Sequence, residues 1–165
     1  MSARDKVLTL EEMKVIRAAL GDAGQALVFT NGCFDLLHPG HLRYLAEARA
    51  LGERLVVAVN ADETVGKLKG KGRPLVPLEE RMEVLAALEV VDYVIPFAEE
   101  TPADVIRELL PDVLVKGGDW VPEKIVGKDT VEAAGGRVIS LPYAAGYSTS
   151  QLIDRIVSRL GEKPR

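Results

Sequence analysis

Residues 26–42 read ALVFTNGCFDLLHPGHL, and the interpretation of the whole chain starts from this stretch. It opens with a short apolar run, Ala26 to Thr30, which is typical of a buried parallel strand. Pro39 then suits the first turn of a helix that runs to about Leu51, with Gly52 as its stop. A strand, a glycine-containing turn and a helix in this order predict one βα unit of a parallel sheet.

The same alternation continues along the chain. Further strands are predicted at 54–60, 92–97, 112–116 and 137–141, and further helices at about 9–20, 77–91, 102–110, 127–134 and 148–160. Strands that alternate with helices predict the α/β class, with a doubly wound, five-stranded parallel sheet and right-handed crossovers. We expect one domain over residues 1–165, with an N-terminal helix at about 9–20 and a core over about 26–160.

Composition and charge exclude several classes of function. Hydrophobic residues make up 47% and charged residues 28%, as in soluble globular proteins. The net charge of −4 provides no basic field for nucleic acid, so no nucleic-acid partner is expected. No apolar run reaches the roughly 18–20 residues that span a bilayer, and the N-terminus lacks a secretory signal. Cys33 is the single cysteine and forms no internal disulfide, which favours a cytoplasmic location without a membrane partner.

Ligands of doubly wound sheets bind beyond the carboxyl ends of the strands. The segments that follow strands one, two, four and five are rich in glycine, hydroxyl groups, amides or charge. They read NGCFDLLHPGH, ADETVGKLKGKGRP, GGDW and PYAAGYSTS.

The first segment holds both histidines of the chain, His38 and His41. Their spacing across a helix start directs both rings toward one side, and Gly40 between them lets a ligand approach the backbone. Exposed N–H groups and the helix dipole favour an anion there, so we predict a phosphate cradle. The alternatives are a helix cap with two incidental histidines, or a zinc site with Cys33 or Asp35 as third ligand.

The second segment interleaves cations with glycines at Gly66, Gly70 and Gly72. Its cations are Lys67, Lys69, Lys71 and Arg73. This pattern predicts a mobile loop that folds over a polyphosphate, with a solvated surface loop as the alternative. Neither a P-loop pattern nor a GxGxxG fingerprint is present, which argues against P-loop and nicotinamide or flavin dinucleotide binding.

At the last helix, Ser148 is the predicted N-cap in a capping box with Gln151. Thr149 and Ser150 would then supply hydroxyl groups to further phosphate oxygens. Cys33 is interpreted as a small, partly buried residue. A catalytic thiolate would need a base and an orienting group, and no carboxylate or amide completes such a set.

These motifs resemble the HxGH nucleotidyltransferase superfamily. His38–His41 reads HPGH, and Tyr147–Ile153 is similar to the ISSTxIR helix start, with Tyr147 replacing an aliphatic residue. Asn31–Asp35 resembles the [GN]xFD element of the cytidylyltransferase-like branch. Within that branch, the adenylyltransferase domain of bacterial ADP-heptose synthesis enzymes is the most similar. The shared segments are FTNGCFD at 29–35, LKGKGRP at 68–74, LVKGGD at 114–119 and GYSTS at 146–150.

The resemblance implies a Rossmann-like nucleotidyltransferase fold with strand order 3-2-1-4-5. It also implies transfer of AMP from ATP to a sugar 1-phosphate, heptose 1-phosphate in this family, giving ADP-sugar and pyrophosphate. Mg²⁺ is expected with ATP, held mostly by phosphate and water, and no protein ligand to it is named. Relatives suggest a homodimer. Bifunctional members carry a sugar-kinase domain ahead of this one, so we expect a separate kinase to supply the sugar 1-phosphate here.

The resemblance also assigns roles to individual residues. The catalytic residues would be His38, His41 and Lys71. The nucleotide-binding residues would be Asn31, Gly32, Cys33, Phe34, Gly40, Arg73, Lys116, Gly117, Asp119, Tyr147, Ser148, Thr149 and Ser150. The substrate-binding residues would be Asp35, Asn60, Asp62, Lys69 and Arg81, although a salt bridge on the helix surface explains Arg81 equally well.

Other functions remain open at this point. A cytidylyltransferase acting on glycerol 3-phosphate or a phosphoalcohol, or an FMN adenylyltransferase, would use the same chemistry. A non-catalytic nucleotide-binding module belongs to another class. A redox dinucleotide module is disfavoured by the missing glycine fingerprint.

Overall fold

A computed structural model describes residues 2–118, 120–142 and 145–161. Its strands are β1 (Leu27–Gly32), β2 (Arg54–Asn60), β3 (Tyr93–Phe97), β4 (Val113–Gly117) and β5 (Arg137–Leu141). Its α-helices are α1 (Leu10–Asp22), α2 (Pro39–Arg49), α3 (Asp62–Lys69), α4 (Leu78–Ala86), α5 (Ala103–Leu109), α6 (Lys128–Ala133) and α7 (Thr149–Leu160). Short 3₁₀ turns lie at Arg4–Lys6 and Pro122–Lys124.

The five strands form one parallel sheet in the order β3-β2-β1-β4-β5, so the predicted fold class and strand order are confirmed. The chain first winds outward from β1 through β2 to β3, and then returns to place β4 on the other side of β1. The strand order therefore reverses between β1 and β4. In sheets of this kind, this reversal opens a crevice at the carboxyl ends of the strands.

Helices cover both faces of the sheet, and each face has its own apolar cluster. Phe29 of β1 belongs to the cluster that contains Met13 of α1 and Ile106 of α5. Its neighbour Val28 points to the opposite face and joins the cluster that contains Leu45 of α2. Because successive residues of a strand alternate between faces, a strand buried on both sides reads as a continuous apolar run.

The N-terminal helix begins as predicted. The Thr9 hydroxyl accepts a hydrogen bond from the Glu12 N–H (3.2 Å), and the Glu12 carboxylate accepts one from the Thr9 N–H (2.8 Å). This is the complete capping box. At α7, the Ser148 hydroxyl accepts from the Gln151 N–H (3.1 Å), which confirms Ser148 as the N-cap.

Two elements differ from the prediction. The helix predicted over 77–91 ends at Ala86, as α4. The segment after β2 is also not a loop throughout, because residues 62–69 form α3. The helix buries Thr64 and Val65, and Lys67 pairs with Glu63 one turn earlier at 2.9 Å. Gly70, with φ of 98°, ends the helix. The alternation of glycine with lysine concealed a helix whose buried face is only one turn long.

No helix within the described ranges is both long and apolar enough to cross a membrane.

Candidate active site

A cleft of about 560 Å³ lies at the carboxyl ends of the strands, where the strand order reverses. The β1–α2 connection, the end of β2, α3, the loops after β3 and β4, and the start of α7 all contribute to its walls. Its lining is Asn31, Gly32, Cys33, Phe34, Asp35, His38, His41, Tyr44, Asn60, Leu68, Lys69, Arg73, Glu100, Thr101, Pro102, Lys116, Gly117, Trp120, Val126, Tyr147, Ser148, Thr149 and Ser150.

The two histidines form a stacked pair in this cleft. His38 is the N-cap of α2 and His41 lies in its first turn, and their ring centroids are 3.8 Å apart with the planes inclined by 24°. The buried Phe34 ring lies 5.4 Å from His41 on a tilted plane. The Nδ1 atom of each histidine is buried without a hydrogen-bond partner among the described residues. Buried polar atoms without partners are costly and are often satisfied by a ligand.

Burial of the rings also keeps them neutral. It lowers the pKa of His41 to about 4, and the nearby charge of a protonated His38 contributes a smaller part of the same shift. Burial likewise lowers the pKa of His38. Both imidazoles are therefore uncharged at neutral pH in the protein alone. A bound polyanion would favour their protonated forms and offset the cost of burial.

The start of α7 packs closely against the start of α2 at Gly40. A Cβ atom at Gly40 would lie 2.9 Å from the Cβ of Tyr147 and 3.0 Å from the His38 ring, so no larger residue fits without displacement. The Arg43 guanidinium lies 5.2 Å from the centre of the Tyr147 ring. The Thr149 hydroxyl donates to the Leu36 carbonyl at 3.3 Å. Two helix N-termini, one with histidines and one with hydroxyl groups, thus open into the same cleft.

Asp35 anchors the loop that follows α3. Its carboxylate is 1% exposed and accepts hydrogen bonds from the Arg73 Nε (2.6 Å) and from the N–H groups of Leu75 and Val76 (2.9 Å each). Burial would raise the pKa of Asp35, but these backbone donors and the Arg73 charge lower it overall. The carboxylate is therefore ionised and fastens the cationic loop to the histidine-bearing turn.

Arg81 ties together the backbone beneath the cleft. Its guanidinium is fully buried and donates to the carbonyls of Cys33, Asn60 and Val76. It also pairs with Asp62 at 2.7 Å. The carboxyl ends of β1 and β2 are held at a fixed separation in this way. Neither residue lines the cleft: Arg81 is buried beneath it, and Asp62 is exposed outside it.

The other cations lie at different positions around the cleft. Lys69 and Arg73 line it, whereas Lys67 is paired with Glu63 and Lys71 lies in the exposed turn after α3. Lys116, at the end of β4, lies 5.6 Å from the centre of the Trp120 ring. Burial, with a smaller contribution from Lys69, lowers the pKa of Lys116. Burial also raises the pKa of the Cys33 thiol, so this cysteine lacks the thiolate character of a nucleophile.

Comparison with known proteins agrees with this geometry. A family model described as Cytidylyltransferase-like matches residues 29–155, which span the histidine turn and most of α7. This chain belongs to the cytidylyltransferase-like family. The bifunctional protein HldE of Halorhodospira halophila is 62% identical over 137 residues, covering 83% of this chain and 29% of that protein. HldE of Nitrosococcus oceani is 60% identical over 133 residues, covering 81% and 28%. The chain thus spans less than a third of the length of these relatives.

Solved structures share the fold. The lipopolysaccharide core biosynthesis protein from Thermoplasma volcanium is 29% identical, with a TM-score of 0.60, and the match covers 73% of this chain and 98% of that one. Pantoate-beta-alanine ligase from Francisella tularensis is 12% identical with a TM-score of 0.53, covering 95% and 79%, and shares the fold.

Most of the residues predicted for the site in this cytidylyltransferase-like chain meet in the one cleft. The exceptions are Gly40 and Arg81, which are buried outside the lining, Asp62 and Lys71, which are exposed outside it, and Asp119, which is outside the described residues. The role of each remains a prediction. The sequence patterns missed the contributions of Tyr44, Leu68, Trp120 and Val126 and of the loop after β3, residues 98–102. That loop carries no glycine run and no cluster of cations, which are the signals used for the other strand ends.

The described residues contain no group of three or more histidine, cysteine, aspartate or glutamate side chains that could hold a metal ion. The zinc alternative needs such a group. It would use His38 and His41 with Cys33 or Asp35 as the third ligand, and the Asp35 carboxylate is already engaged by three protein donors.

Proposed function

We propose that this chain transfers AMP from ATP to heptose 1-phosphate, producing ADP-heptose and pyrophosphate. The observation that carries this proposal is the convergence of the stacked histidines, the Asp35-anchored cationic loop and the hydroxyl-bearing start of α7 on one cleft. The resemblance to the adenylyltransferase domain of ADP-heptose synthesis enzymes supports the choice of substrates. The high identity to HldE proteins over more than four fifths of the chain supports it as well.

The reaction is a displacement at the α-phosphorus of ATP. A phosphate oxygen of the sugar 1-phosphate forms the new bond, and the bond between the α-phosphorus and the oxygen that bridges it to the β-phosphorus breaks. Both electrons of that bond leave with pyrophosphate. The attacking oxygen is already anionic at neutral pH, so no general base is needed. This agrees with a cleft whose histidines have no carboxylate partner among the described residues.

The chemical difficulty is the meeting of two polyanions. Neutral His38 and His41 can donate hydrogen bonds to the α- and β-phosphate oxygens, and their protonation is favoured only once the ligand's charge is present. Such preorganised donors stabilise the charge that develops in the transition state. Arg73 and Lys69 add positive charge from the loop side. At the other helix start, Thr149 and Ser150 would bind the far end of the triphosphate.

We take the nucleotide substrate to be the Mg²⁺ complex of ATP. The ion neutralises part of the triphosphate charge, and phosphate oxygens and water supply its ligands in this proposal. An enzyme that uses ATP and a sugar phosphate meets both in the cytoplasm, the location that the sequence predicts. A homodimer remains the oligomeric state that we expect.

The direct test is a pyrophosphate-release assay of the purified chain with ATP or CTP against a panel of phosphorylated acceptors. The panel contains heptose 1-phosphate, hexose 1-phosphates, glycerol 3-phosphate and FMN. We expect release with ATP and heptose 1-phosphate at a kcat/KM at least tenfold above that of any other pair. Release that is fastest with another acceptor would refute the substrate assignment.

A second candidate is a cytidylyltransferase, because the family model that matches residues 29–155 carries that description. The chemistry at the α-phosphorus would be the same, and only the base would differ. Faster pyrophosphate release with CTP than with ATP would establish this candidate. Binding of nucleotide without any pyrophosphate release would instead support a non-catalytic module.

A further inference from the structure

The cleft has a second wall that the phosphate chemistry does not use. It is formed by the loop after β3 and the loop between β4 and α6, and its members are Glu100, Thr101, Pro102, Trp120 and Val126. Gly127, which follows Val126, packs closely against Ile106 of α5, the helix that begins directly after Pro102. A Cβ atom at Gly127 would lie 2.7 Å from the Cδ1 of Ile106. We call these five residues the acidic–aromatic wall.

The loop after β3 is held in place by backbone contacts. The Thr64 hydroxyl donates to the Ala98 carbonyl at 2.6 Å, and the Ala61 N–H donates to the Phe97 carbonyl at 2.8 Å. Pro102 at the end of the loop is buried. Glu100 is therefore presented to the cleft from a fixed backbone rather than from a free chain end.

Glu100 is chemically distinct from the rest of the cleft. Only two acidic side chains occur in the described lining, Asp35 and Glu100. The Asp35 carboxylate is already hydrogen-bonded to Arg73 and to the loop backbone. Glu100 has no hydrogen bond and no salt bridge to the described residues. The ammonium group of Lys67 feels its charge but is already paired with Glu63 at 2.9 Å. A free carboxylate in a cleft for polyanions repels their charged groups. It is favourable only where it faces a part of the ligand that carries hydrogen-bond donors and no charge.

We infer that Glu100 is a specificity-determining residue that accepts hydrogen bonds from hydroxyl groups of the sugar acceptor. Thr101 contributes a second polar group, and the half-exposed Trp120 ring provides an apolar surface for the carbon face of the sugar. An aromatic face beside a carboxylate and a hydroxyl suits a polyol, which presents C–H groups on one side and O–H groups at its edge. This inference rests on the proposed function and extends it by naming the residues that select the acceptor.

The inference predicts that removal of the negative charge of Glu100 weakens the binding of an anionic ligand, the sugar phosphate. If Glu100 acts only through its charge, its removal should strengthen the binding of every phosphorylated ligand. If Glu100 accepts hydrogen bonds from the sugar, its removal should weaken the binding of the sugar phosphate alone. Glu99 is the matched control, because it adjoins Glu100 in the same loop, carries the same charge and does not line the cleft.

The experiment is isothermal titration of the wild-type protein and the Glu100→Ala, Glu100→Gln and Glu99→Ala variants. The ligands are heptose 1-phosphate, inorganic phosphate and ATP with Mg²⁺. We expect Glu100→Ala to weaken heptose 1-phosphate binding by about tenfold, which is about 1.4 kcal/mol. We expect it to leave ATP and inorganic phosphate unchanged or tighter. Glu100→Gln, which keeps one acceptor oxygen, should lie between wild type and alanine, and Glu99→Ala should match wild type.

Equal or tighter binding of heptose 1-phosphate to Glu100→Ala would overturn the inference. Equal weakening of ATP would also overturn it, since Glu100 would then not distinguish the acceptor from the nucleotide. Binding is measured without turnover, so the two proposals fail separately. A wild-type protein that binds the sugar phosphate in a Glu100-dependent way but releases no pyrophosphate would refute the proposed function and keep the inference. A wild-type protein that does not bind the sugar phosphate would refute both.

Discussion

The imidazole rings of His38 and His41 stack face to face, with their centroids 3.8 Å apart. Two protonated rings at this separation would repel one another, and burial disfavours each charge further. The pair is therefore neutral until an anion arrives. In the proposed reaction, its hydrogen-bond donors meet the phosphate oxygens on which charge develops.

Replacement of His41 tests this role. His41→Ala should lower turnover by about 10²–10³, the scale found for one transition-state donor. The midpoint of thermal unfolding should change little, because the lost ring has a buried Nδ1 atom without a described partner. Steady-state kinetics with ATP and heptose 1-phosphate, beside a thermal melt, measures both. Turnover near that of wild type would remove His41 from the chemistry.

His41 also makes folding depend on pH. Its pKa is about 4 in the folded chain, against an ordinary value of 6.5. Between these values the unfolded chain binds a proton that the folded chain does not, so the free energy of unfolding falls as the pH is lowered through this window. Urea unfolding of wild type and His41→Gln from pH 7.5 to 4.5 should show wild type losing stability relative to the variant. A stability difference that stays constant with pH would contradict the burial of a neutral ring.

We predict that turnover requires the absence of a side chain at Gly40. Gly40→Ala introduces a methyl group 2.9 Å from the Cβ of Tyr147 and 3.0 Å from the His38 ring, which forces the starts of α2 and α7 apart. We expect turnover to fall at least tenfold. Gly21→Ala in α1 is the control, because its nearest neighbour is the Arg17 side chain at 3.9 Å. That control should retain full activity with unchanged or slightly higher stability. Full activity of Gly40→Ala would show that the two helix starts need not touch.

The Asp35 anchor should contribute to both stability and ligand binding. Asp35→Ala leaves the Leu75 and Val76 N–H groups and the Arg73 guanidinium without their acceptor, and loss of a buried partner costs about 3–5 kcal/mol. Asp104→Ala is the control, because its pair with Arg107 is exposed and should contribute less than about 1 kcal/mol. Urea unfolding measures both variants. A loss in Asp35→Ala no larger than that in the control would mean that Asp35 does not hold the loop.

The cations after β2 should differ in importance. Lys69 lines the cleft, so Lys69→Ala should raise the KM for ATP severalfold or more. Lys128→Ala removes a lysine that pairs with Glu132 on α6 and should leave the KM unchanged. Lys71 lies on the exposed turn, so a raised KM in Lys71→Ala would indicate that the turn closes over bound ATP. An unchanged KM for ATP in both Lys69→Ala and Lys71→Ala would support the alternative that this segment is a solvated surface loop.

Sequence patterns located the sheet well for a physical reason. β2 and β5 have the bounds that the sequence predicts, and β1 is displaced by one or two residues. Burial on both faces gives β1 and β2 their continuous apolar runs, whereas β5 is an edge strand that is only partly buried. Helix α3 was missed because its buried face is one turn long and its sequence is broken by Gly66. The predicted mobile loop is accordingly reduced to the turn at residues 70–74.

In the site, local motifs identified the residues whose chemistry can be predicted from the residues next to them in the sequence. The histidine turn and the Ser148 cap are of this kind. The role of Asp35 as an anchor was not predictable, because it depends on N–H groups 40 and 41 residues away. Glu100 and Trp120 line the cleft from two loops that follow different strands, β3 and β4. Such long-range relationships leave no periodic signal in a single sequence.

The central claim is that the cleft catalyses displacement at the α-phosphorus of ATP. The most direct measurement follows ATP labelled with ³²P at either the α or the γ position, incubated with Mg²⁺ and heptose 1-phosphate. We predict that α-label enters the sugar nucleotide, that γ-label leaves as pyrophosphate, and that His41→Ala slows both equally. Transfer of γ-label to the sugar, release of γ-label as free phosphate, or no transfer of α-label to any acceptor would contradict the account.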